Sequence, residues 1–188
     1  MDARDEEGAV RERHAAGRDE VGLGQVSDVL AALAAVDLRQ LPKALRGSEV
    51  ARRLSHALDE EFGSAVREPA PGVDGAVRTP DHVVELREAE GGPVQAVAVA
   101  YRILDFRQLE PGQLDRTLGE CLAYAERYQA VVLAVVYLER PPHPVPPEWR
   151  DPGQPLHLER GGRRVPLHVL ARPADWDVLW AEQFERKK

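Results

Sequence analysis

Apolar residues recur at two different periods along the chain. From Ser27, a candidate N-cap, Val29, Leu30, Leu33 and Val36 fall at helical spacing, and Pro42 closes the segment. A second helix is predicted from Ser48, with Val50, Leu54, Leu58 and Phe62 on one stripe and Gly63 as its stop. The period then shortens to two. Val66 to Glu68 begins a strand, a Pro/Gly stretch interrupts it, and Asp81 to Arg87 and Val94 to Ile103 read as strands joined by a turn at Gly91-Gly92. Pro111 and Gly112 open a helix carrying Leu114, Leu118, Cys121, Leu122 and Ala125, which ends near Gln129. Ala130 to Leu138, uninterruptedly apolar, reads as a strand buried on both faces and parallel to the second hairpin strand, because a helix separates the two. Leu156 to Leu158 and Val165 to Ala171 flank Gly161-Gly162 as a second hairpin. A last helix from about Ala174 spaces Trp176, Trp180 and Phe184 four residues apart.

These elements imply a domain division. Residues 1–24 mix charge with Ala and Gly without an apolar period, and read as a flexible tail. Residues 25–188 read as one domain with its core at about 48–139. A linker at 140–155, holding seven of the fifteen prolines, leads to the C-terminal hairpin and helix at 156–188. With 43% hydrophobic and 30% charged residues the chain reads as a globular protein. Its single cysteine excludes a disulfide framework and points to a reducing cytoplasm. The longest apolar run, nine residues, is short of the roughly 20 that a bilayer helix needs, so no membrane partner is expected. The net charge of −7 argues against indiscriminate binding to polyanions, although a basic patch can still be local.

The second hairpin strand carries the informative residues. Alternation gives it a bulky face of Val97, Val99, Tyr101 and Ile103 and an opposite face of Ala96, Ala98, Ala100 and Arg102. Three alanines in register fill little space and are poor strand formers, which suggests that something else belongs beside them.

Helix, strand, hairpin, helix and buried strand, with Thr79-Pro80-Asp81 opening a hairpin strand, resemble the PD-(D/E)XK, or restriction-endonuclease-like, nuclease superfamily over about Ser48 to Leu138. The resemblance implies an α/β fold of αβββαβ order, a mixed central sheet flanked by helices. Asp81 matches the family's first metal-binding aspartate. Val97-Ala98-Val99-Ala100-Tyr101 is similar to the strand that carries the family's second acid and its lysine, with alanine in both working positions. Glu120 and Tyr124 resemble the Gln-x-x-x-Tyr pair of the RecB-like branch, and their spacing places them on one helical face.

The implied activity is hydrolysis of DNA phosphodiesters in bacterial DNA processing or defence. Mg²⁺ or Mn²⁺ would neutralise the phosphate and lower the pKa of the attacking water. Asp81 and an acid at position 98 would hold the ion, the group at position 100 would assist water, and Glu120 with Tyr124 would position the strand. Alanine at 98 and 100 implies that the chain as written does not cut. It is either a naturally degenerate pseudo-nuclease or a chain altered at both positions.

Other residues enter as candidates of their own. Glu85 shares the face of Asp81, but stands roughly 13 Å along the strand at about 3.3 Å per residue, too far to share an ion. Arg102 can supply positive charge but hardly carries protons. Arg160, Arg163 and Arg164 around the Gly-Gly turn can grip phosphates, or can be a solvated turn. Glu60 or Glu61 can reach a metal from the first core helix or simply face solvent. The six histidines lack close metal-ligand spacing, and Cys121 reads as packed core. Three roles stay open: an impaired nuclease subunit, a non-catalytic module that binds DNA or a partner protein, and a structural subunit. Exposed C-terminal aromatics would imply a protein partner or a second copy.

Overall fold

The computed structural model describes residues 22–42, 45–69, 79–104, 113–138 and 154–174. Most of the predicted tail, nearly all of the proline-rich linker and the last helix with Trp176, Trp180 and Phe184 lie outside them.

The helical periods become helices α1 (Val26–Ala35) and α2 (Arg46–Phe62). Neither begins at its predicted cap. Ser27 sits inside the first turn of α1, where Asp28 reaches back to accept the Gln25 N–H at 2.6 Å. Ser48 likewise lies within α2 and donates to the Leu45 carbonyl at 3.1 Å, an acceptor already engaged by the Glu49 N–H at 2.9 Å, so it caps none of the open N–H groups of the first turn. Glu49, in that first turn, takes Arg52 at 2.8 Å and Arg53 at 2.8 Å, and the bonds to these guanidinium groups pull its carboxyl down to about 2. The predicted stripe is the buried one: Val50, Leu54 and Leu58 are fully covered.

Among the described residues seven strands form one sheet: β1 (Gly22–Leu23), β2 (Val66–Arg67), β3 (His82–Arg87), β4 (Gln95–Leu104), β5 (Ala130–Tyr137), β6 (Leu156–Arg160) and β7 (Arg163–Pro173). Six positions run across it in the order β1, β3, β4, β5, β7, β6, while β2 pairs with β3 on the edge that β1 also uses. The charged tail therefore stops short of residue 24, since Gly22 and Leu23 pair with Leu86 and Arg87. A two-residue strand is too short to show alternation in the sequence.

The first hairpin is antiparallel, with His82 opposite Val99 and Leu86 opposite Gln95. Helix α3 (Gln113–Tyr124) then carries the chain to β5, which runs parallel to β4 from Val97↔Ala130 to Leu104↔Tyr137. The core elements thus follow in the order α2, β2, β3, β4, α3, β5. The second hairpin turns at Gly161-Gly162, where φ values of 58° and 76° favour glycine. It extends the same sheet, because β7 pairs parallel to β5 from Val131↔Leu167 to Tyr137↔Pro173.

The fold is α/β, a mixed open sheet with helices on both faces. Val97, Val99 and Tyr101 pack under α1 and α2 with Val29, Leu33 and Leu54. Ala98 and Ala100 face the other way and pack with Cys121, Tyr124 and Ala125 at the end of α3. Arg172 on β7 ties the sheet to α1 by donating to the carbonyls of Leu33, Ala34 and Val36 at 3.2, 2.5 and 2.9 Å, which satisfies acceptors left open at the helix C-terminus. No described helix is long and apolar enough to cross a membrane.

Leu54→Ala should lower unfolding free energy by about 2–5 kcal/mol in urea denaturation, while Glu61→Ala on the exposed side of α2 stays within about 0.5 kcal/mol.

Candidate functional site

Asp81 stands where β3 begins, beside the carboxyl end of β4, the end at which open α/β sheets commonly bind ligands. Residues 70–78 lie outside the described residues, and the regular β3–β4 ladder ends at His82↔Val99. Asp81 continues the ladder by other means. Its N–H donates to Val99 O at 2.9 Å, and its Oδ2 accepts the Tyr101 N–H at 2.6 Å. A carboxylate thus takes the place of a backbone acceptor, which gives Asp81 a structural task whatever its chemical one.

Arg102 is the hub of the cluster. Its Nη1 donates to Tyr101 O at 2.6 Å and lies 3.8 Å from Asp81 Oδ2, while its Nη2 is hydrogen-bonded to Glu120 Oε2. Tyr124, one helical turn beyond Glu120, brings its hydroxyl against the same guanidinium and donates to Thr79 O at 3.2 Å. Burial works against the arginine charge, but the bonds to Glu120 and Tyr124 outweigh it and hold the guanidinium above its ordinary range. Burial likewise raises the Tyr124 phenol, with Arg102 opposing. Cys121 beneath them is pushed up to about 12, mainly by burial.

Four of the predicted site residues therefore meet: Asp81, Arg102, Glu120 and Tyr124. Arg102, expected to face nucleic acid, has a side chain only 16% exposed and spends its donors inside the protein. Ala98 and Ala100 lie on the same face, wholly buried with Cys121, Tyr124 and Ala125. Their small size has a packing reason the sequence did not show: it lets the end of α3, with its tyrosine, approach the strand.

The remaining candidates lie elsewhere. Arg160 pairs with Glu126, and Arg163 donates to Glu126 O at 2.7 Å and Tyr128 O at 3.3 Å, so the hairpin tip braces the chain just after α3. Arg164 is exposed beside them, opposite Glu159. Glu85 is paired with Arg67 at 2.9 Å. Glu60 and Glu61 are on α2, which covers the opposite face of the sheet, and Glu60 is 3.3 Å from His56. On that face lies a contact the sequence reading passed over: Ser55 Oγ and His82 Nε2 are 2.8 Å apart, with the His82 and Tyr101 rings at 5.6 Å. Only the pairing of α2 against β3 joins these positions, so no local spacing announces them.

A divalent cation does not fit the groups present. Mg²⁺ asks for a near-octahedral set of oxygens at roughly 2.0–2.1 Å. Here two carboxylates flank a guanidinium, positions 98 and 100 supply no donor, and no three His, Cys, Asp or Glu side chains among the described residues group to hold a metal.

Asp81→Ala should cost about 1–3 kcal/mol of stability in chemical denaturation, because the Tyr101 N–H loses its acceptor, and Asp81→Asn should cost less, since an amide oxygen can still accept. Native protein at mildly alkaline pH should resist alkylation at Cys121 and react promptly once unfolded; reaction in the folded state would contradict a buried, neutral thiol. No family model, curated protein or solved structure matches this chain.

Proposed function

We propose that the chain has a restriction-endonuclease-like core that has lost cleavage, and that it acts in bacterial DNA processing or defence as a subunit that holds DNA without cutting it. One observation carries the reading. The αβββαβ run of α2, β2, β3, β4, α3 and β5 brings Asp81, Glu120 and Tyr124, three residues that the nuclease resemblance singles out, around Arg102 on one sheet face. Hydrolysis by such a core requires an ion and a group that activates water. In an active parent, Asp81 with an acid at position 98 would hold Mg²⁺ or Mn²⁺, and the group at position 100 would assist water. Alanine at both positions removes these functions, and Arg102 does not replace the second, because arginine hardly deprotonates.

A second reading, a non-catalytic module that binds a partner protein instead of DNA, is favoured by the hairpin tip. Arg160 and Arg163 are engaged with the turn after α3, which leaves Arg164 as the tip arginine beyond that brace.

Binding to duplex and single-stranded DNA at low salt, read by fluorescence anisotropy, separates the two. The DNA reading expects affinity that falls steeply as salt rises, with no strand scission in Mg²⁺ or Mn²⁺. No binding at low salt would favour the partner module. Where DNA binds, Ala98→Glu with Ala100→Lys and Arg102→Met, checked for folding by circular dichroism because the alanine sites are buried, should nick plasmid in Mg²⁺ or Mn²⁺ in a way that Asp81→Ala abolishes.

A further inference from the structure

The Arg102 guanidinium lies between two carboxylates from different elements. One is Asp81, at the start of β3, with its Oδ2 at 3.8 Å; the other is Glu120 on α3, in direct hydrogen-bond contact. Its own strand supplies a third ligand, the Tyr101 carbonyl at 2.6 Å, and the Tyr124 hydroxyl lies against it. Oxygen acceptors thus converge on one cationic centre from β3, β4 and α3. With side-chain exposures of 16% for Arg102 and 20% for Glu120, the contact is largely withdrawn from solvent.

We propose that the Arg102 guanidinium is the resident cation of this site, a covalently attached substitute for a divalent ion, so that the chain holds Asp81 and Glu120 together without metal. The inference rests on the nuclease-like reading and gives it a physical reason for metal independence. Two carboxylates brought to one centre repel each other unless a positive charge stands between them. Arginine supplies that charge permanently, since it does not deprotonate under conditions in which proteins fold, and its planar fork reaches two acceptors at once. A dication entering beside it would meet a like charge a few ångströms away and find Asp81 Oδ2 and Glu120 Oε2 already engaged. The same geometry makes Arg102 a positioning residue, because it ties the end of α3 to the strand on which Ala98 and Ala100 lie.

Manganese alone is the probe, with free Mn²⁺ followed by electron spin resonance and folding followed by thermal melts in EDTA, Mg²⁺ or Mn²⁺. The wild type should take up no Mn²⁺ at millimolar concentration and melt at the same temperature in all three. Arg102→Met should melt roughly 5 °C or more lower in EDTA, because two carboxylates are left facing each other, and should regain part of that loss in Mn²⁺. Adding Glu120→Gln to that variant should abolish the recovery. Stoichiometric Mn²⁺ uptake by the wild type that Asp81→Asn removes would overturn the proposal, as would a folded Arg102→Met whose melting ignores Mn²⁺. Should Arg102→Met fail to fold, Arg102→Lys keeps the charge and should bind no Mn²⁺, and uptake by it would be equally fatal. DNA binding by the wild type separates the two claims: Mn²⁺ uptake with DNA binding retained sinks this inference alone, and metal indifference without DNA binding sinks the DNA-holding role alone.

Discussion

Burial of β5 along its whole length is the constraint from which the rest of the architecture follows. All eight of its residues are buried, so the strand needs a neighbour on each edge and a cover on each face. Strands β4 and β7 supply the edges, both parallel to it. Helices α1 and α2 cover one face, and α3 closes part of the other. Each choice passes outward to the next strand. Because β4 must face both layers, its side chains divide into Val97, Val99 and Tyr101 under the first pair of helices and Ala98 and Ala100 under the third.

That division also determines what the candidate site can be. The alanines allow the end of α3 to come close, and its Glu120 and Tyr124 then arrive over the carboxyl end of β4, where Asp81 has replaced a missing backbone acceptor and Arg102 projects on the same face. The cluster is held by ion pairing and by packing together. Its one guanidinium stands between two carboxylates, which leaves the cluster a net negative charge and an arginine that hardly deprotonates, and so fits a site that braces better than one that transfers protons. Arg160 and Arg163 add a further brace from the second hairpin to the turn after α3, so the helix end is held from β4 and from the β6–β7 hairpin together.

Much of this was legible before any coordinates. The stripe of Val50, Leu54 and Leu58, the Gly91-Gly92 hairpin, the parallel relation of β4 and β5 and the two faces of β4 all follow from periodicity, because one-sided burial forces a matching spacing on the residues that meet the core. Helix starts were less legible. Ser27 and Ser48 are good capping residues in the abstract, yet both lie one or more positions inside their helices, where local hydrogen bonds and tertiary packing chose the ends. The short edge strands β1 and β2 leave almost no pattern, since two residues cannot establish a period.

The chain's own pattern determined which side chains share a face and which elements must exist, because alternation and helical pitch are properties of the backbone. It also brought Asp81, Arg102, Glu120 and Tyr124 forward as candidates. Only the folded arrangement decided that these four touch, that Arg102 turns inward rather than toward a ligand, and that the small residues at 98 and 100 make room for a helix. Asp81 and Glu120 are thirty-nine residues apart in the chain. No local spacing encodes a contact made by laying a crossover helix across a sheet, since its register is decided by how the buried surfaces of both fit.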